Sequence, residues 1–249
     1  MSINAKRVVA SIEARMTSTR LPGKVLKTCM GRPMLELLAE RVRRSQYIDA
    51  IVVATTTNKP DEEIVDLASR IGIESFRGSE NDVVARVTGA MEAAEADVVV
   101  QLTGDCPLLD PEIIDQVIRI YAANTFDYVS NCLVRSFPRG LDVQVASLAV
   151  LQKSLAVAKD DTQHEHVFLS VYENPERFRL FNIFAPPELC RPDWRWTIDT
   201  LEDYACITRI YEMLYPKSPH FSSRDVALLL LMHPEIAELN QEIRQKQVR

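Results

Sequence analysis

The chain has 249 residues, 47% hydrophobic and 26% charged, a composition that fits a soluble globular protein and excludes a disordered or fibrous one. Its 29 Lys and Arg against 35 Asp and Glu leave a formal charge of −6, which disfavours nucleic acid as a partner. The longest strongly apolar run, 226–232, is far shorter than the roughly 18 residues of a membrane span, and residues 1–7 lack an apolar signal core. Five Cys, an odd number without a CxxC pair, argue against a disulfide scaffold and for a cytoplasmic protein.

Strand-like runs at 7–13 (RVVASIE), 50–55 (AIVVAT) and 98–103 (VVVQLT) alternate with helical periodicity at 34–44, 61–71 and 82–94. Asp61 after Pro60 and Asp110 before Pro111 supply helix-start chemistry. This alternation predicts an α/β fold, a Rossmann-like and mostly parallel sheet flanked by helices. Ligands bind beyond the carboxyl ends of such strands, so the loops after Glu13, Ala54, Phe76 and Thr103 are where a site belongs. The second half predicts strands at 128–131, 141–145, 179–184 and 195–198, and helices at 147–158, 162–172 and 200–214. Thr200 with Asp203, and Ser222 with Asp225, have the spacing of a capping box. No repeat or composition break divides the chain, so the expectation is one domain over 1–249 with a small β-containing insertion near 130–190.

Residues 14–26 (ARMTSTRLPGKVL) place Arg15, Arg20 and Lys24 in one loop with no carboxylate among them. Cations, hydroxyls and one Gly are the ingredients for holding a polyphosphate, and a solvated basic loop is the plain alternative. The string is neither a GxxxxGK[ST] nor a GxGxxG loop. Gly104-Asp105 ends an apolar run and so puts a carboxylate at the tip of a buried strand, where an oxygen-preferring cation such as magnesium could be held. Because Asp110 fills the helix-cap role, Asp105 is free for this one. Cys106 reads as a packing residue. Asp199 ends a short strand before the 200–214 helix.

The string Arg15-x-x-Ser18-Thr19-Arg20-Leu21-Pro22-Gly23-Lys24 resembles the nucleotide-binding motif of the cytidylyltransferases of the CMP-Kdo and acylneuraminate synthetase superfamily, and is most similar to the spore-coat polysaccharide F branch. The resemblance implies a GT-A type nucleotide-sugar transferase fold and a loop that wraps the triphosphate of CTP. Ala14, Arg15 and Lys24 would meet the nucleotide, with Arg15 and Lys24 on the departing pyrophosphate, and Ser18 and Arg20 would support the loop or touch phosphate. Gly104-Asp105-x-Pro107 and Asp199-Thr200-x-Glu202-Asp203 resemble the family's two acidic segments, which implies Asp105 and Asp199 as protein ligands to Mg2+. Ala54, Thr55, Ser79 and Asn81 correspond to base and ribose segments, although Asn81 or Asp82 also serves as a helix cap.

Arg139, Asp142, Gln144, Glu165 and His166 fall in segments implied to bind the acceptor, with Gln144 where Glu is usual and Phe168 where Thr is usual. His164 and His166 lack zinc-protease spacing. The activity so implied is transfer of CMP from CTP to the hydroxyl of a sugar or sugar acid, with pyrophosphate released, for surface polysaccharide or glycoconjugate synthesis. A homodimer joined through 170–197 is the implied assembly. The alternatives are a glycosyltransferase of related fold, weakened by the lack of a DxD near the first four strand ends, a nucleotidyltransferase using another NTP, and a non-enzymatic interaction module without nucleotide affinity.

Overall fold

Alternation along β1 (Val8–Glu13) builds two layers at once. Val8, Ala10 and Ile12 enter one apolar cluster and Val9 enters another on the opposite face. A strand apolar on both faces belongs at the centre of a covered sheet. The computed structural model describes residues 5–245. After β1 come the short pair β2 (Thr28–Cys29) and β3 (Arg32–Pro33), α1 (Met34–Val42), β4 (Ala50–Thr56), α2 (Glu62–Ile71) and β5 (Glu74–Gly78). Next are α3 (Val83–Ala93), β6 (Val98–Thr103), α4 (Pro111–Ala123), β7 (Tyr128–Ser130), β8 (Gln144–Ser147) and α5 (Leu148–Val157). The chain ends with α6 (Asp161–Glu165), α7 (Leu169–Tyr172), β9 (Leu180–Asn182), α8 (Leu201–Leu214), α9 (Ser223–Met232) and α10 (Pro234–Glu238).

Seven strands form one sheet in the order β5-β4-β1-β6-β8-β7-β9. The β5-β4-β1-β6 half is parallel, β8 runs antiparallel to both its neighbours, and β9 is parallel to β7. Glu13 is level with Ala54 on one side and Thr103 on the other, so the loops after β1, β4 and β6 open on one edge. Side chains of α1, α4, α8 and α9 pack in the cluster on one face; those of α3, α5 and α7 pack on the other. The stretch 130–190 contributes β8 and β9 to this same sheet. Among the described residues no helix is long and apolar enough to cross a membrane, and all five cysteines are free.

The second half differs from the sequence expectation in three places. The strand expected at 141–145 starts at Gln144, because the Asn131 side chain takes the backbone groups upstream. Its Nδ2 donates to the Leu141 carbonyl (2.7 Å) and its Oδ1 accepts from the Val143 N–H (2.8 Å). The helix expected at 162–172 breaks into α6 and α7. His166 is extended there (φ −113°, ψ 106°), Val167 and Phe168 turn into the core, and the Ser154 hydroxyl takes the Val167 carbonyl at 2.7 Å. Residues 195–198 form only an isolated bridge, Arg139 to Arg195, instead of a strand.

Candidate active site

The basic loop leaving β1 is held from both sides by carboxylates of neighbouring loops. Asp61 is fully buried; its Oδ1 accepts from the Met16 N–H (2.8 Å) and its Oδ2 from Thr55 Oγ1 (2.9 Å), Thr56 N–H (3.0 Å) and Thr56 Oγ1 (2.6 Å). It therefore makes no side-chain cap on α2, the role its position beside Pro60 suggested. Glu80 accepts from Thr17 Oγ1 (2.5 Å) and Asn58 Nδ2 (2.6 Å), with Arg15 3.7 Å away. Gly23 closes the loop through a hydrogen bond to the Met16 carbonyl (3.0 Å) at φ +67°, a conformation that favours glycine. The short 3₁₀ turn Lys24–Leu26 follows and directs Lys24 back across the strand ends.

Two acids far apart in sequence meet on that lysine. Lys24 Nζ lies 2.6 Å from Asp105 Oδ2 and 2.8 Å from Asp199 Oδ1. Gly104 makes the approach possible: a Cβ there would meet the Glu13 carbonyl at 2.8 Å and Ala14 Cβ at 3.1 Å. The Asp105 carbonyl then accepts from the Ile198 N–H (2.8 Å) and Thr197 Oγ1 (3.1 Å), which fastens the second acidic segment beside the first. Arg20 Nη2 reaches Asp199 Oδ1 at 2.8 Å, so Arg20 sits on an acid. Arg195 bonds Asp203 through two nitrogens (3.1 and 3.0 Å) and Asp199 Oδ2 at 3.3 Å. Thr200 and Asp203 form the capping box of α8 that their spacing predicted.

Burial alone would disfavour charge on both partners. The Lys24 ammonium nevertheless brings the Asp105 carboxyl below its usual range, and the two carboxylates hold Lys24 above its own. The buried Cys106 thiol is pushed well up by burial and by Asp105, so it stays protonated and serves as packing.

The acids open onto a cavity of about 630 Å³ that also receives Ala14, Arg15, Ser18, Arg20 and Lys24. Arg139, Asp142, Gln144, Glu165 and His166 line the same cavity. Asp142 is gripped by Arg135 in a two-point fork (2.7 and 2.9 Å). Arg139 makes no side-chain hydrogen bond or ion pair among the described residues. Its backbone is laddered to Trp194 and Trp196 (2.9 and 2.6 Å), and a Cβ on the adjacent Gly140 (φ +105°) would strike the Trp196 carbonyl at 2.4 Å. Ala54, Thr55, Ser79, Asn81 and Gly104 are not among the residues lining the cavity. Ala54 and Thr55 are buried, the Thr55 hydroxyl is spent on Asp61, and Ser79 and Asn81 are exposed. Asp82, not Asn81, caps α3 through the Ala85 N–H (2.8 Å), and its other oxygen is 3.0 Å from His164 Nδ1.

Among the lining residues outside the motif reading are Glu13, Arg86 and Gln101. Glu13 Oε2 accepts from Gln101 Nε2 at 2.6 Å, and burial pushes its carboxyl up to about 8. A raised carboxyl pKa means that the folded state holds the proton which the unfolded chain gives up near its ordinary value of 4.5. The stability this gives is complete below about pH 4.5 and is lost as pH rises to about 8. Glu13→Gln removes the proton linkage. Its Tm is therefore expected to match the wild type near pH 4.5 and to exceed it at pH 8, in a calorimetric series across that window. Parallel curves would contradict this.

A phosphate-type loop and a carboxylate pair at the carboxyl edge of a Rossmann-like sheet are the layout of a nucleotidyltransferase. The chain belongs to the cytidylyltransferase family, whose model matches residues 9–240. It is 37% identical over 248 residues to the uncharacterized protein MJ1063 of Methanocaldococcus jannaschii, covering 98% of each chain. It is 34% identical over 231 residues to the spore coat polysaccharide biosynthesis protein SpsF of Bacillus subtilis, covering 91% of this chain and 95% of that one. The structure of a cytidylyltransferase from Leptospira borgpetersenii superposes with a TM-score of 0.88 at 32% identity, over 97% of this chain and 100% of the other.

Proposed function

We propose that the protein transfers CMP from CTP to a hydroxyl of a sugar or sugar acid, with Mg2+, in the synthesis of a surface polysaccharide or glycoconjugate. The observation that carries this reading is the convergence of Lys24, Asp105 and Asp199 at the mouth of the basic loop. The two carboxylates fit a hard divalent cation: both reach within 2.8 Å of one nitrogen, so they already share a cation's position. Among the described residues no third His, Cys, Asp or Glu completes a protein-only metal group, which suits a cation that takes its remaining oxygens from phosphates and water. When bound, Mg2+ would supply charge neutralisation at the phosphate under attack.

The chain's own residues do the rest by position. Lys24, Arg15 and Arg20 hold the triphosphate, and Lys24 and Arg15 offset the charge on the leaving pyrophosphate. Asp105 and Asp199 orient the metal. Arg139, with its guanidinium unspent in the cavity, takes an anionic group of the acceptor, beside Gln144, Glu165 and His166 from the 130–190 stretch. We assign the protein to the cytoplasm and to a homodimer through 170–197, where β9 is the sheet edge and Phe181 and Phe184 are exposed.

Thermal-shift titration with CTP, UTP, GTP and ATP, each with Mg2+, tests the nucleotide. CTP at about 100 times its Kd is expected to stabilise the fold by roughly 2.7 kcal/mol. An equal shift with all four, or none with CTP, would end this reading.

A further inference from the structure

The second acid is held from behind by a residue near the end of the chain. Asn240, two residues past α10 and buried, donates from its amide nitrogen to the Arg195 carbonyl (3.0 Å) and to Asp203 Oδ1 (2.8 Å). Those two partners are the groups that hold Asp199. Arg195 grips Asp203 with Nε and Nη2 (3.1 and 3.0 Å), and the same Nη2 reaches Asp199 Oδ2 at 3.3 Å. Asp203 Oδ2 also accepts from the backbone N–H groups of Asp199 (3.0 Å) and Thr200 (3.2 Å). Gln245, five residues beyond Asn240, takes the remaining Arg195 nitrogen, Nη1, at 2.7 Å.

The result is a division of labour between the two oxygens of Asp199. Arg195 occupies Oδ2, while Oδ1 faces Lys24 and Arg20, each at 2.8 Å. A carboxylate pinned on one oxygen presents the other in one place, which is how outer partners orient a metal ligand. Packing does not achieve this alone. A second cavity, of about 270 Å³, lies against Arg195 and Asn240 and is lined also by Trp194, Trp196, Cys206 and Leu230. The hydrogen bonds of Asn240 therefore restrain a guanidinium that has open space on one side.

We propose that Asn240 is a positioning residue for the metal site: by fastening Arg195 and Asp203 it keeps Asp199 Oδ1 aimed at the place that Lys24 and a divalent cation share. This deepens the Mg2+ part of the reading above and rests on it, but not on which nucleotide binds. Asn240 does not line the cavity onto which the acids open, so its effect there passes through Arg195 and Asp203. Substituting Arg195 itself would remove a cation from beside a cation site and mix charge with orientation. Asn240→Leu keeps the approximate volume and changes no charge, so it removes orientation alone.

The test is Mn2+ binding without CTP, read by electron paramagnetic resonance in the wild-type and Lys24→Met backgrounds, the second having no ammonium between the acids. Asn240→Leu is expected to raise the Mn2+ Kd by about tenfold, the low end of what the loss of an outer partner costs a metal site. The CTP Kd measured without metal is expected to stay within about threefold. Ile236→Val, which trims a buried side chain of α10, serves as the control: it lowers Tm but leaves the Mn2+ Kd within about twofold. Gln245→Ala, at an exposed position, is expected to shift the Mn2+ Kd in the same direction as Asn240→Leu but by less. It decides the matter if Asn240→Leu does not fold. An unchanged Mn2+ Kd in the variants, or an equal rise in Ile236→Val, would overturn the proposal. A protein that binds no Mn2+ in either background would bring down the metal reading, and this proposal with it. One that binds Mn2+ but is not stabilised by CTP would end the nucleotide reading alone.

Discussion

Lys24→Met is expected to lower CTP-dependent pyrophosphate release by on the order of 10²–10³, while tightening the binding of Mn2+ alone by about tenfold. The two effects have one cause. In the protein without nucleotide, the ammonium sits 2.6 and 2.8 Å from the oxygens that would ligate a divalent cation, so metal and lysine compete for one place. Removing the lysine relieves that competition but leaves two buried like charges with fewer counter-charges, which a metal then neutralises. In the proposed reaction the same lysine serves the phosphates, so its loss would remove charge stabilisation where pyrophosphate departs. Manganese affinity can be read by electron paramagnetic resonance on wild type and variant without CTP. Equal affinities, or a wild-type rate in Lys24→Met, would refute the assignment.

Asp105→Asn is expected to cost a similar factor of 10²–10³ in turnover with little change in Tm. The distinction follows from how Asp105 is used. Its structural bonds, to the Ile198 N–H and to Thr197 Oγ1, run through the backbone carbonyl, which Asn retains. The carboxylate takes Lys24 and, at 3.5 Å, the Cys106 thiol, and Lys24 holds it below the usual carboxylate range against the effect of burial. A pyrophosphate-release rate near wild type, in a protein that melts normally, is the result that would remove Asp105 from the metal site.

The parallel half of the fold is plain in the sequence, because there each segment carries its own pattern. RVVASIE and VVVQLT are apolar on both faces and appear as β1 and β6, and Asp110-Pro111 starts α4. The second half is set by partners distant in sequence. Asn131 decides where β8 begins, and the core seat of Phe168 decides where a helical pattern breaks. At the site, the motif spacing led to Arg15, Lys24, Asp105 and Asp199, all of which line the cavity. The segments that the resemblance implies for base and ribose are harder to read. Ala54 and Thr55 lie near the end of β4 and Ser79 and Asn81 just past β5, but position at a strand end does not say which way a side chain points. Glu13, Gln101 and Arg86 went unnoticed for the opposite reason. Each sits inside a regular strand or helix, where a polar residue in an apolar run is the only signal.

The backbone stitch from the Asp105 carbonyl to Thr197 and Ile198 spans 92 positions. Between those two anchors the chain lays down α4, β7, β8 and β9, so this one stitch returns the chain from the antiparallel half of the sheet to the tip of β6. A chimera that exchanges part of the 130–190 stretch must therefore keep the β6–β8 ladder as well as both anchors.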